Sequence, residues 1–553
     1  MKKKNLLFFI LWLSWICVKG QSAFNQHEFI DINNIRAIQL VHGDMWCDPD
    51  ASEAKCEFPK NSSKRIGFSG SIWMSGYDAG NNLHVAAQTY RQNGNDYWPG
   101  PHDNNATALP YSVSANWAKI WKLNRTTINY FKGLSSHTIA NTPTSILEWP
   151  AKGNPYAKGN NNATLTITSD LAPFVDVNND GVYNALNGDY PLIKGDQMLW
   201  NVFNDNGATH NESAITPLNV SVNQSVYGYQ RNSPIDNILY YEYEISNKSN
   251  NVYDSFVVGI YADMDLGYFR DDYTGFDSSR RMGYTYNGDM IDGQGEINSY
   301  GDTIPMVGIR ILELPGDSCN NYAPLGSFMY SKNNADAIIG NPSLAYQFNH
   351  LLRHRWRNGS PLAAPNSSAS NGTGSGTPVN YVYDNSMQLG INWNECSLSN
   401  TPDDMRMVIA SAPMTLLANQ TIKVSFALIA SPREYQNGCP SMNFSNLNIY
   451  SDTAQKIYCN PLPYLTTGIN DFINNQHQLI IYPNPANDIL YIEKTLSADT
   501  KISITDALGR NIQLTSTTQG NKTMLNISQL PSGIYLLLLN DGKEIFREKF
   551  VKN

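Results

Sequence analysis

The stretch Asp176-Val177-Asn178-Asn179-Asp180-Gly181-Val182 puts oxygen-bearing side chains at the first, third and fifth places of a turn, a glycine at the sixth and a carbonyl at the seventh. That is the ligand order in the first half of a calcium loop of about twelve residues, where hard oxygens converge on one ion. The last ligand position, which calls for a bidentate Glu, holds Asn187, and Asp189 follows two residues later as substitute or supplement. The expected Ca2+ set is therefore Asp176, Asn178, Asp180, the carbonyl of Val182, Asn187 and Asp189. The competing reading is an Asn/Asp/Gly turn without metal.

A second acidic group, Asp263, Asp265, Asp271, Asp272 and Asp277, crowds the stretch ADMDLGYFRDDYTGFD. It suits a second calcium site or a glycosidase-like carboxylate pair, which needs two carboxyls about 5 to 10 Å apart across a sugar bond. A solvated loop neutralised by Arg270, Arg280 and Arg281 is the simpler reading. His350 and His354 stand four apart in HLLRHRWR, but Leu351 occupies the place where a zinc protease needs Glu, and Arg353, Arg355 and Arg357 repel a cation. No G-x-S-x-G elbow or phosphate-cradling glycine loop is present, and no cysteine carries a cysteine-protease signature. Trp98, Trp117, Trp121 and Trp149 are dense enough to offer sugar-stacking rings, although most rings in such a chain fill the core.

The elements that must position these groups are strands. Between Phe24 and about Asp170, short apolar runs are divided by Gly, Asn and Pro, with Gly80-Asn81-Asn82 a turn. Around Asn237 to Asn247, Leu239, Tyr241, Tyr243 and Ile245 alternate with Tyr240, Glu242 and Glu244, which predicts a strand with one wet face. Phe256 to Tyr261 follows after an Asn-rich turn and reads as its hairpin partner. Ile422, Val424, Phe426 and Leu428 repeat the alternation with Lys423, Ser425, Ala427 and Ile429. Residues 365–378 are too rich in Gly and Ser to pack, a weak helical pattern spans about 441–458, and 466–477 reads as a linker. The expected fold is all-β: a multi-domain β-sandwich body in two regions, 21–225 and 226–465, and a terminal Ig-like sandwich over 478–553.

Composition sets the environment. Charged residues are 16% of the chain, Tyr numbers 32 and the net charge is −9, a balance that suits a secreted β protein and argues against nucleic acid or anionic lipid as partner. Lys2-Lys3-Lys4 precedes an apolar run from Leu6 to Ile16, too short to span a bilayer, and Val18-Lys19-Gly20 permits cleavage before Gln21, so residues 1–20 read as a signal peptide. Ser14-Trp15-Ile16 before Cys17 is too bulky for a lipobox. No further transmembrane segment follows. Six cysteines remain, and an even count in an exported chain reads as disulfides. The local pairings are Cys47 with Cys56 and Cys439 with Cys459, leaving Cys319 with Cys396. Zinc is disfavoured because no two cysteines have C-x2-C spacing.

The C-terminal residues carry a resemblance. YPNPANDILYI, ITDALGR, and LPSGIYLLLL before a Lys/Arg-bearing last strand resemble the C-terminal sorting domain of the type IX secretion system of Bacteroidetes. The resemblance implies a transport address read by the outer-membrane translocon and delivery to the cell surface or medium. Segments of the body, among them DVNNDGVYNALNGDYPLIKGD and DMRMVIASAPMTLLANQ, resemble large secreted proteins with the same address, a group that brings no known reaction. The functional expectation is a non-enzymatic surface or extracellular protein for adhesion or binding, with a glycan or surface ligand as partner. A secreted polysaccharide hydrolase using acids within 263–277, or a structural surface-layer component, are the alternatives.

Overall fold

The computed structural model describes residues 24–462 and 481–553 apart from short internal stretches, the longest of them 385–392 and 433–443. The chain divides into two compact units, 1–462 and 463–553. Among the described residues, no helix is long and apolar enough to cross a membrane. The expected signal peptide, residues 365–370 of the Gly/Ser stretch and the 466–477 linker lie outside the described residues.

The body is built on a nine-stranded antiparallel sheet. Its path runs through Trp121–Asn124, Gln197–Asn204, Val220–Gly228, Ile238–Asn247, Thr421–Pro432, Pro305–Glu313, Met282–Asn287 and Asp272–Asp277. A six-stranded sheet contains Leu325–Lys332, Met405–Ser411, Tyr253–Asp263, Ser69–Tyr77 and Leu83–Ala86 in that order. Alternation along the large sheet sends successive side chains to opposite faces, and both faces are covered. Leu239, Tyr241, Tyr243, Ile245, Ile422, Val424, Phe426 and Leu428 enter one core with Trp73, Val258, Ile260 and Ile409 of the smaller sheet. Tyr240, Ala427 and Ile429 enter a second core with Trp121, Trp149, Trp200 and Leu447.

Two expectations about individual strands need correcting. The face predicted to be wet is so only at Glu242 and beyond; Tyr240 is fully buried, stacked on Tyr227 at 5.0 Å. The second core covers it, and periodicity in one strand cannot report that cover. Nor do Ile238–Asn247 and Tyr253–Asp263 form a hairpin: the first pairs with Val220–Gly228 and Thr421–Pro432, the second with Met405–Ser411 and Ser69–Tyr77. The intervening turn, in which Asn247 Nδ2 donates to the Asn251 and Leu417 carbonyls, carries the chain from one sheet to the other. The boundary expected at 225/226 falls inside the strand Val220–Gly228, and both sheets contain strands from either side of it.

The helix Ser445–Cys459 realises the weak 441–458 pattern; it buries Leu447, Ser451 and Ala454, and Arg310 donates to Ser451 Oγ at 2.8 Å. A disulfide joins its last residue, Cys459, to Cys319, not to Cys439. Cys396 is also disulfide-linked, and Cys439 lies outside the described residues. Cys47 and Cys56 are buried free thiols. They are close in sequence but turned to different surroundings: Cys56 enters the main core, whereas Cys47 sits near Asp44 and Asp48, and burial among those charges pushes its thiol up to about 12.

The second unit is a sandwich of two four-stranded antiparallel sheets. Leu490, Ile492, Ile504, Leu525, Leu537, Leu539 and Phe550 fill it. The YPNPAND stretch pins the last strand: Ala486 N–H donates to the Val551 carbonyl at 2.8 Å, and Asn553 N–H donates to the Ala486 carbonyl at 2.9 Å. Gly533–Asn540 and Ile545–Lys552 pair antiparallel around the expected Asp541-Gly542 turn, itself outside the described residues.

Candidate functional site

The smaller sheet ends in a polar cleft. Asp263, the last residue of Tyr253–Asp263, faces Arg406 on one neighbouring strand and Ser69 on the other. Asp263 and Arg406 are cross-strand partners, and Asp265 and Asp404, just outside the strand ends, converge on the same place. These four residues line a cavity of about 820 Å³ together with Arg65, Phe68, Tyr90, Asn211, Glu212, Phe269, Asn333 and Arg357.

Arg406 organises its base. Its Nη2 donates to Asp263 Oδ2 at 3.1 Å, its Nη1 to Asp404 Oδ1 at 2.5 Å and its Nε to the Tyr90 hydroxyl at 2.6 Å. Tyr90 in turn donates to Asp263 Oδ2 at 2.5 Å and accepts from Tyr261 at 2.9 Å. Asn333 Nδ2 holds Asp404 Oδ2 at 3.0 Å. Charge-assisted bonds of this kind are stronger than neutral ones and fix geometry. One carboxylate oxygen from each of Asp263, Asp265 and Asp404 lies within 4.8 Å of the other two, and all three side chains are buried. Asp263 Oδ1 is buried and makes no hydrogen bond. Burial raises the pKa of both Asp263 and Asp265; Arg406 opposes this at Asp263, while Asp263 and Asp404 push Asp265 higher still. The arrangement can bind polar or cationic groups, hold a hard cation, or divide a proton between two carboxyls.

The acidic stretch read as one group thus separates. Asp271 and Asp272 accept backbone N–H groups, of Gly293 and Leu266, both at 3.0 Å. Asp277 pairs with Arg280 at 3.0 Å, which also meets Asp452 at 3.1 Å, and Arg281 pairs with Asp317 at 2.8 Å. Only Asp263 and Asp265 reach the cleft. Asp404, Arg406 and Tyr90 were absent from the sequence-based candidates because they come from stretches of the chain distant from the acidic one. The signal that could have found two of them is the i, i+2 spacing of Asp404 and Arg406 in the strand pattern, matching that of Asp263 and Asp265.

The sequence-predicted calcium residues form a compact exposed turn. Asp176 Oδ2 accepts from Gly181 N–H at 2.8 Å, Asp180 Oδ1 from Val182 N–H at 2.9 Å, and Asn178 Nδ2 donates to Asp180 Oδ2 at 2.8 Å. Gly181 has φ +81°, the left-handed conformation that a sixth-place glycine supplies. Asp189 is fully buried behind the turn, accepting from the N–H groups of Val177 and Asn184, each at 2.8 Å. Asn187 ends the short helical turn Ala185–Asn187 and is exposed. Val182 is 39% exposed.

The remaining candidates have structural roles. His350 lies in the helix Ala345–Leu351 with Nδ1 3.2 Å from the Arg357 carbonyl. His354 is past its end at φ +47°, with Nδ1 3.1 Å from the Gly326 carbonyl, so the two rings do not share a helix face. Trp98, Trp117, Trp121 and Trp149 are all buried; the last two flank Trp200 at ring separations of 5.5 and 5.6 Å.

The terminal sandwich can be assigned. The chain matches the secretion system C-terminal sorting domain family over residues 480–553. Residues 480–553 are the type IX export address. The sorting domain implies a Bacteroidetes origin, engagement with the type IX machinery and export across the outer membrane to the cell surface or extracellular space. No curated protein matches the chain. Among solved structures, a polysaccharide lyase aligns at 9% identity and a TM-score of 0.16, covering 60% of this chain and 34% of that one. So loose a superposition bears on neither fold nor reaction, and the chain spans about a third of the lyase's length.

Proposed function

We propose that the body is a non-enzymatic binding protein of the cell surface or medium and that its cleft takes a hydroxylated ligand of the glycan class. The observation that carries this reading is the lining of the cleft of about 820 Å³, which includes amides and charged groups (Asn211, Asn333, Arg65, Arg357) as well as the rings of Phe68, Tyr90 and Phe269. Sugar recognition uses such convergent donors and acceptors beside apolar ring faces. The test is a glycan array with the mature chain, followed by calorimetry on any hit. Asn333→Ala and Phe269→Ala should each weaken binding at least about tenfold, which is about 1.4 kcal/mol. Unchanged affinity in both would remove the cleft from the reading.

Hydrolysis of polysaccharide is favoured by one observation: Asp263 and Asp265 approach within 4.8 Å, close to the roughly 5 Å spacing of retaining glycosidases. Product release by the parent chain that Asp265→Asn abolishes, with binding retained, would establish that reading over simple binding.

The turn at Asp176, Asn178, Asp180 and Val182, with Asn187 and Asp189 after it in sequence, is a proposed calcium loop that stiffens the exported body. Its support is the ligand order and the convergence of three oxygen side chains on one turn. At a hundred times its dissociation constant the ion would add about 2.7 kcal/mol to stability.

A further inference from the structure

We infer that Asp263, Asp265 and Asp404 form a second, buried binding site for a hard divalent cation of the calcium class at the base of the cleft. One oxygen from each lies within 4.8 Å of the others, and oxygens that share an ion at 2.3 to 2.6 Å are separated by no more than about 5 Å. The donors are all carboxylate, which selects calcium, magnesium or manganese over the softer transition metals.

Hydrogen bonding shows where the ion would sit. Arg406 and Tyr90 occupy Asp263 Oδ2, and Arg406 and Asn333 occupy the two oxygens of Asp404. Asp263 Oδ1 has no hydrogen-bond donor although Asp263 is only 1% exposed. An unsatisfied buried carboxylate oxygen is costly, and a cation beside Asp265 satisfies it.

Charge gives the same answer. Within the cluster, three carboxylates against the guanidinium of Arg406 leave an excess of two negative charges, which a divalent ion balances; Arg65, Arg357 and Glu212 also line the cleft, and Arg65 acts on Asp265 at longer range. Arg406 does not compete for the ion. It holds Asp263 and Asp404 in place while leaving Asp263 Oδ1 free to ligate, as a neighbouring group that orients metal ligands does. The inference concerns the same cleft as the proposed glycan reading but does not rest on it, because the ion alone can be measured.

The experiment uses the mature chain carrying Asp176→Ala and Asp180→Ala, which disables the surface turn. Metal-stripped protein is titrated with Ca2+ by calorimetry, with melting followed in parallel. The expected result is one ion per chain, a raised melting temperature, and a loss of affinity on the order of a hundredfold in Asp265→Asn. That variant keeps the size of the side chain and leaves the Arg406 bonds in place; Asp263→Asn should act in the same direction. Folding is checked by the Ca2+-free melting temperature. No heat of binding in the folded parent, or undiminished affinity in folded Asp265→Asn, overturns the site. Glycan binding measured with and without chelator separates the two readings, since the cation can bind in a cleft that takes no glycan.

Discussion

Burial can make a single carboxyl set the pH response of a whole fold, and Glu395 is placed to do so. It is 1% exposed, its Oε2 accepts from Asn400, and burial raises it to about 7 against the help of Asn400 and Lys332. Between the unfolded value near 4.5 and about 7, the unfolded chain gives up a proton that the folded chain keeps, so this residue's contribution to stability falls as pH rises and levels off above 7. Glu395→Gln, which fixes the neutral form, should be more stable than the parent at pH 8 by about 3 kcal/mol. The gain should vanish near pH 4, as urea melts at both pH values will show. A pH-independent difference would mean that Glu395 is ionised in the fold. At this scale the sequence was informative only where the residues concerned are local. The turn at 176–182 could be read as a turn because its residues are consecutive, whereas the cleft draws on residues 90, 263, 265, 404 and 406, which only the tertiary fold brings together.

At the scale of elements, strand alternation was legible and strand pairing was not. Ile422, Val424, Phe426 and Leu428 enter the main core as their spacing predicts, but nothing in that spacing says which sheet a neighbouring strand will join. The cysteines make the same point. Cys319 and Cys459 close a loop with a sequence separation of 140, tying the helix Ser445–Cys459 to the segment after Pro305–Glu313; within that strand, the Leu312 carbonyl accepts from Gln455 Nε2 of the same helix at 3.1 Å. Cross-linking a loop of that length restricts the unfolded chain by about 5 kcal/mol on the chain-entropy estimate. Replacing both cysteines by Ser should therefore lower unfolding stability by roughly 3 to 5 kcal/mol, read from denaturant midpoints. The unreduced chain, once denatured, should alkylate at Cys47 and Cys56. In the folded state both should react slowly, since each thiol is buried and burial holds it protonated by raising its pKa. Recovery of Cys47 and Cys56 in one disulfide-linked peptide would refute this assignment.

For the whole molecule, each of the two compact units has an interior of its own: among the described residues, the body cores contain none beyond 462, and the core of the sorting domain begins at Ala486, with Ile481 packed against it. The terminal unit was the most legible part of the chain because its motifs are local: Ala486, in the YPNPAND turn, is bonded to the last strand, and alternation places Leu490, Ile492 and Ile504 inside. Separate interiors make removal of the address a test of transport rather than of folding. A chain lacking residues 478–553, expressed in a host with a type IX system, should melt as the intact body does and accumulate in the periplasm, whereas the full chain reaches the surface or medium. Fractionation with a periplasmic marker reads the location, and retention of the Cys319–Cys459 linkage in the trapped protein checks that the body has folded. Wild-type amounts of the truncated chain outside the cell would show that the body carries an export signal of its own.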